Sequence, residues 1–376
     1  MSKKGNIKEV AQVFFKLGVI AFGGPAAHVA MMEEEIVNKR KWMDRQHFLD
    51  LMGITNLIPG PNSTEMTMHC GHERAGIPGL FVAGFAFIFP AVVITGTLAW
   101  LYSLYGTLPN VEPWIIGIKP AVLAIIAGAV FKLGKKALKG WELGTLGLFV
   151  LAASILGVNE ILALLTAGVV GAFYFSAKNK MFDNPKSILP LFLLQLPTAS
   201  VAGITSLKVF WTFLKVGSVL YGSGYVLFAY LDAELVTTGW LTRQQLMDAV
   251  AVGQFTPGPV LSTATFVGYQ LTGFWGAVGA TLGIFLPSFL FVLILNPLVP
   301  RMRKSKVLGF FLDSVNIAAV AVMAGVLFEM AKISLVNWQG IVIAVISFAL
   351  IFGFKKVSSM WIVLGGSLLG FLFSLM

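Results

Sequence analysis

Ile58-Pro-Gly-Pro-Asn-Ser-Thr64 and Thr256-Pro-Gly-Pro-Val-Leu-Ser262 are the two stretches on which the reading of this chain turns. Each lies within an apolar run. Proline there removes a backbone donor and clashes with the preceding turn, so a helix should break at both places. Outward from these stretches the chain repeats itself. Upstream, Lys16 matches Lys215, Gly23 matches Gly222, Glu35 matches Glu234, Trp42 matches Trp240, Arg45-Gln46 matches Arg243-Gln244 and Asp50 matches Asp248. Downstream, Pro90 matches Pro287, Ala127-Gly128 matches Ala324-Gly325 and Trp141 matches Trp338. Aliphatic similarity between membrane helices is common, but a shared Pro-Gly-Pro with matching Arg-Gln and Trp before it marks a duplication.

Hydrophobic residues make up 57% of the 376 residues and charged ones 12%, and the mean hydropathy is +0.84. That is too little charge to cover a soluble surface, so lipid is the solvent for most of the chain. The apolar runs are continuous rather than alternating, which selects helices over a barrel. The spans predicted are 10–31, 47–69, 77–103, 114–133, 142–157 and 160–177, then 207–231, 246–268, 274–299, 310–331, 338–354 and 359–376. The expected fold is an all-α polytopic membrane protein of two homologous six-helix halves, residues 1–177 and 207–376, joined by 178–206. In the joint, Ser187 to Ile204 is apolar but carries Pro190 and Pro197; it is either an extra crossing or a segment lying along the surface. The basic start, Met1 to Lys8, imitates a signal peptide, but the apolar run after it continues through Gly23, Gly24 and Pro25, so cleavage is not expected.

The net charge of +10 sits in short loops rather than in one stripe, which points to membrane topology and not to nucleic acid. Lys132, Lys135, Lys136 and Lys139 follow the fourth span of the first half. In the second half Arg301, Arg303, Lys304 and Lys306 follow the third span instead, and Lys355 and Lys356 the fifth. If cations stay cytoplasmic, the halves are inverted repeats, which requires Ser187 to Ile204 to cross, giving thirteen crossings with the N-terminus inside and the C-terminus outside. A parallel repeat with twelve crossings is the alternative.

Breaks at matching places create helix N-termini with unpaired N–H groups, which suit an anion. The helix-break residues are Pro25, Pro59, Gly60, Pro61, Pro257, Gly258 and Pro259. Asn62, Ser63, Thr64, Ser262 and Thr263 supply donors, with Ser223 beside the second-half glycines, and Gly23, Gly24 and Gly222 allow close backbone approach. Packing kinks are the plainer reading of any one break; paired breaks in both halves favour a site. Lys16 and Lys215, one to two turns before the glycines, would face an anionic substrate, or else snorkel. Lys119 reads as a loop-end lysine. Glu65, which has no acidic counterpart in the second half, would carry a coupled proton or pair with Lys16 or Lys215, and His28 would share that proton or simply be hydrogen-bonded. Glu35 and Glu234 are placed in interfacial loops. The single Cys70 excludes an internal disulfide, and no metal cluster or cofactor motif is present. The absence of a Gly-x-x-x-x-Gly-Lys-Ser/Thr loop excludes ATP drive by this chain.

Phe22-Gly-Gly-Pro-Ala-Ala-His28, Pro59-Gly-Pro-Asn62 and Gln254-Phe-Thr-Pro-Gly-Pro259 together resemble the chromate ion transporter family, over nearly the whole chain. The resemblance implies a bacterial inner-membrane protein of two oppositely oriented halves, with an extra crossing between them, that exports chromate and confers metal resistance. The family's motifs fall on Lys16, Gly23, Gly24, Pro25, His28, Pro59, Gly60, Pro61, Gln254, Pro257, Gly258 and Pro259. Glu65, where the family often carries a neutral residue, and Gly222-Ser-Gly-Tyr225, in place of Gly-Gly-Pro, depart from it. The expected partners are the bilayer, a small oxyanion (chromate or sulfate) and a second copy of the chain; no nucleic acid is expected. A secondary transporter is the leading function, an oxyanion channel or sulfate transporter the alternative, and an enzyme is not expected.

Overall fold

The computed structural model describes residues 7–22, 25–55, 58–106, 108, 112–179, 203–221, 224–295, 305–354 and 357–375. All regular structure among them is helical. α1 (Ile7–Ile20) ends before the first glycine break. The chain resumes as α2 (Pro25–Met32), with proline in the first turn where its missing N–H costs nothing, and runs on through a π-helical segment (Glu33–Lys39). α3 (Arg45–Thr55) ends before the Pro-Gly-Pro, and α4 (Asn62–Tyr105) starts after it. Non-helical backbone at Ala75 and Gly76 divides α4 into α4a (62–74) and α4b (77–105). α5 (Glu112–Ala137), α6 (Trp141–Ile155) and α7 (Glu160–Lys178) complete the half, and Asn159 caps α7.

The second half repeats this order. α8 (Ser206–Val219) is capped by Thr205. After the break come a 3-10 turn (Gly224–Val226), α9 (Leu227–Leu231) and a π-helical segment (Asp232–Val236). Thr242 and Gln245 form a capping box at the start of α10 (Arg243–Phe255). A 3-10 turn (Val260–Ser262) leads into α11 (Thr263–Leu295), which non-helical Thr272 and Gly273 divide into α11a (263–271) and α11b (274–295). α12 (Lys306–Ser334), α13 (Trp338–Gly353) and α14 (Ser359–Ser374) follow.

The helix breaks fall where proline and glycine place them, but the broken spans do not continue across. Glu9, in the first turn of α1, binds Arg40 at 2.9 Å and Trp42 at 3.3 Å, beyond the end of the returning arm. One straight helix would hold Glu9 and Arg40 about 45 Å apart. His47 at the start of α3 likewise meets Glu73 at 3.2 Å, near the end of α4a. In the second half Lys215 reaches Glu234 at 2.7 Å across the first hairpin. Asp248 of α10 and Gln270 of α11a both bind the Ala99–Tyr102 turn of α4b, at 2.7 and 3.3 Å. The first two predicted spans of each half are therefore re-entrant helical hairpins, with their tips at the breaks. Six crossings per half become four, because a Pro-Gly break supplies a turn as readily as a kink.

Each second hairpin joins its crossing helix through a further tight turn. Gly76 and Gly273 sit at φ +67° and +68°, where a side chain is strained. The arms then close so tightly that a Cβ on Gly71 would strike the Gly79 carbonyl, and one on Gly268 the Gly276 carbonyl. Gly268→Val should overpack this contact and lower stability by about 1–3 kcal/mol, read as a loss of thermal stability in detergent.

Contacts between α4b and α11 establish the inversion. Phe289, late in α11b, packs on Phe81 and Phe85, early in α4b, with centroids 5.6 and 5.1 Å apart. α4b therefore starts at the face where Glu9, Arg40 and Arg74 cluster (the N face), and α11b starts at the opposite C face. The other crossings alternate accordingly. Lys119 of α5 lies by Asp248 at the C face, and Phe131 meets Phe352 toward the N face. Lys139 binds Asp313 at the N-face end of α12, and Arg243 binds Glu329 at its C-face end. Lys178 pairs with Glu142 at the N face, whereas Ser206 bonds Thr272 at 3.1 Å at the C face. Trp114 stacks on Phe371, so the described C-terminal end lies at the C face. The expected extra crossing, Ser187 to Ile204, falls almost wholly outside the described residues.

Candidate functional site at the four helix tips

The breaks that proline and glycine impose bring four hairpin tips to one place, and the tips are bonded across the halves. The Gly60 N–H donates to the Leu220 carbonyl at 2.7 Å, and the Gly258 N–H donates to the Ala21 carbonyl at 2.8 Å. These are equivalent bonds, each linking a Pro-Gly-Pro of one half to the first hairpin of the other. Both glycines adopt backbone that L side chains avoid, φ +139° and +85°. A Cβ on Gly60 would strike the Glu65 carboxyl and the Ser288 hydroxyl; one on Gly258 would lie 2.8 Å from the Ala91 Cβ and 3.3 Å from the Gly18 carbonyl.

Around the tips the buried surface is polar, with both halves contributing. Ser63, Thr64, Glu65, His28, Ser262, Thr263 and Ser288 are all buried. His28 Nδ1 lies 3.3 Å from the Ser63 hydroxyl, and Thr95 donates to Ser262 at 3.2 Å. Thr263 bonds back to the Val260 carbonyl at 2.8 Å, while the Thr64 hydroxyl and Gln254 Nε2 find no hydrogen-bond partner among the described residues. The Thr64 and Glu65 amides return to the Pro61 carbonyl at 2.8 and 3.0 Å. Asn62, half-buried, opens α4, whose first N–H groups have no carbonyl within the helix to accept them. Glu65 is 0% exposed and faces Ser288 across Gly60; no described lysine or arginine forms an ion pair with it.

Several expected site residues stand elsewhere. Lys16 pairs with Glu35 at 3.6 Å and its side chain is 58% exposed; Lys215 pairs with Glu234 and is 22% exposed. The partner expected to be an anion is a carboxylate in both halves, and Lys16 and Lys215 do not pair with Glu65. Glu35 and Glu234 are not loop residues either: both lie in the π-helical segments, folded back against the lysines. Lys119 is not at a loop end but buried two turns into α5, 3.6 Å from buried Asp248, whose other oxygen accepts from Tyr102 at 2.7 Å. Gly23, Gly24, Gly222 and Ser223 lie outside the described residues; Pro25, Pro59, Pro61, Pro257 and Pro259 flank the tips.

Ser288 and Thr95 are residues of this site that no sequence motif marks. Ser288 carries a signal in retrospect, since it follows Pro287, the counterpart of Pro90. A separate cavity of about 230 Å³ near the C face is lined by Glu160, Asp232, Arg243 and Glu329. Its arginine is already paired with two carboxylates, Asp232 and Glu329.

The Chromate transporter family model matches twice, at residues 8–172 and 207–371, and those two segments are the inverted halves. The chain is similar to a probable chromate transport protein of Synechococcus elongatus, 31% identical over 88% of this chain and 86% of the relative. It is also similar to a chromate transport protein of Cupriavidus metallidurans, 30% identical over 97% of this chain and 92% of the relative, and to an uncharacterised transporter of Methanocaldococcus jannaschii, 27% identical over 99% and 96%. No solved structure matches. With its paired halves, apolar helices and bonded tips, this chain is a multi-pass membrane protein belonging to the chromate transporter family.

Proposed function

We propose that this chain exports chromate across the bacterial inner membrane as a secondary transporter, the oxyanion being held where the four hairpin tips converge. The observation that carries this reading is the reciprocal pair of bonds from Gly60 and Gly258 to the opposite half. Rocking one half against the other must break one or both of these bonds, freeing an N–H donor beside the resumed helix starts at Asn62, Ser63 and Thr64 and at Ser262 and Thr263. Glu65, buried next to that space, carries the coupled proton. His28 positions Ser63. Lys16 and Lys215 are second-line cations, which reach the anion only by leaving Glu35 and Glu234. Gly23, Gly24, Gly222 and Ser223 are kept as substrate-binding residues on their sequence positions alone.

We take the halves as 1–177 and 207–376, joined by 178–206; the described chain leaves the first at the N face, by Lys178, and enters the second at the C face, by Ser206. Arg40, Lys41, Arg45, Arg74, Lys132, Lys135, Lys136 and Lys139 lie toward the N face, against Lys119, Lys208, Arg243 and Lys332 toward the other, an excess that supports a cytoplasmic N face. Reporters on the two termini should therefore score on opposite sides of the membrane; termini on the same side would remove the extra crossing.

The reading is tested with purified protein in liposomes, using chromate counterflow with sulfate as competitor. Saturable counterflow supports a transporter. Flux without counterflow would make the protein a channel, and preference for sulfate would change the substrate. Lys16→Ala and Lys215→Ala should weaken chromate affinity only a few-fold, because both lysines are held by carboxylates.

A further inference from the structure

A buried histidine on α4a has no place in the site described above. His69 is 1% exposed, and neither ring nitrogen has a hydrogen-bond partner among the described residues. Native proteins rarely leave such a group unsatisfied without a use for it. His69 stands one turn from Glu65, and His72 stands one turn further, so helical geometry puts all three on one stripe of α4a. Burial decreases along the stripe: Glu65 and His69 are buried, His72 is half-buried and the neighbouring Glu73 is exposed. Glu73 meets His47 at 3.2 Å at the N face.

Resting on the reading of Glu65 as the coupled carboxyl, we propose that His69 and His72 form the path by which protons pass between the N-face water and Glu65. A neutral imidazole takes a proton on one nitrogen and releases one from the other. A proton arriving on His72 thus passes to His69 and then to the Glu65 carboxylate, leaving both rings neutral; the reverse sequence discharges Glu65. Neighbours three or four residues apart on a helix have Cβ atoms about 5–6 Å apart, within reach of direct transfer or one bridging water.

The second half has no such path. At the positions matching His69 and His72 it carries Phe266 and Tyr269, and Phe266 packs on Tyr102. Proton access is therefore one-sided in a molecule whose backbone is two-sided. The ionisable and charged groups brought near the stripe by packed elements are few. α1 contributes Glu9, bound to Arg40 and Arg74; α2 contributes His28; α3 contributes His47, on Glu73; and Tyr221 lies near Glu65 from the second half. α4b places apolar Ala83 and Gly79 against the Gly71 turn.

The test uses the full chain in liposomes with a pH dye inside, recording proton movement on a chromate gradient beside chromate counterflow. His69→Phe installs the residue the second half already uses. It should cut chromate-linked proton movement tenfold or more while leaving counterflow within twofold. His72→Gln should cut proton movement several-fold. If His69→Phe does not yield folded protein, His69→Gln, which bonds but cannot shuttle, takes its place with the same expectation. Wild-type proton movement in the His69 variant overturns the path, and so does an equal fall in counterflow, which would mean a packing role. Glu65→Gln runs beside them. If it abolishes coupling while the His69 variant keeps it, the path alone is wrong; if wild type shows counterflow without proton movement, the Glu65 reading falls and takes the path with it.

Discussion

Gly258→Val should abolish transport and lower stability, the largest effect expected of any single substitution in this chain. Three consequences add. The residue would be forced to stay at φ +85°, which costs a side-chain-bearing residue about 1–2 kcal/mol. Its Cβ would sit 2.8 Å from the Ala91 Cβ and 3.3 Å from the Gly18 carbonyl, and overpacking of that kind costs about 1–3 kcal/mol more. The N–H that bonds Ala21 across the halves at 2.8 Å would be displaced, so the site and its symmetry partner would no longer close together. The variant should lose measurable counterflow and melt well below wild type. Gly60→Val is the matched control, with Glu65 and Ser288 as the obstacles. Near-normal counterflow in both would mean that the tips are not where the substrate sits.

Glu65→Gln should leave the fold intact and separate transport from its driving force. The substitution keeps the shape and the reach toward Ser288, and it removes a buried carboxyl that pairs with no described lysine or arginine. Ionisable groups at such depth are costly to maintain and usually serve transport. Chromate counterflow, which needs no net proton movement, should persist within a few-fold, while accumulation driven by a pH gradient should fall tenfold or more. Equal loss in both assays would make Glu65 a structural or substrate-contact residue. Unchanged accumulation would place the coupled proton elsewhere, or leave the protein uncoupled from protons.

Lys119 and Asp248 show how far a lysine's role depends on packing. Lys119, just before Pro120, reads from the sequence as a loop-end lysine. In the structure α10 folds back against α5 (Glu112–Ala137), and this buries Lys119 and Asp248 beside Tyr102. The counterpart positions, Asn316 and Asp50, do not rebuild this pair in the other half, so the interface between halves is asymmetric at its two ends.

The order of apolar runs, the prolines and glycines that interrupt them and the duplicated Pro-Gly-Pro are local properties, and they determined by themselves that the chain would be helical, duplicated and broken at four matching places. Loop charge added the inversion, because cations answer to the side of the membrane they face. What only the tertiary structure decided is what the chain does after each break. Hydrophobic length is the same for a span that crosses and for a hairpin that returns, and a Pro-Gly break specifies a bend without specifying its angle. The fold-back then chose the partners: Lys16 with Glu35 and Lys215 with Glu234, at the same spacing in both halves. It also set Gly60 and Gly258 against the opposite repeat. Those bonds join residues far apart in the chain, and no local pattern encodes them. They exist because two inverted copies, each folded back at its breaks, satisfy their freed backbone groups against one another.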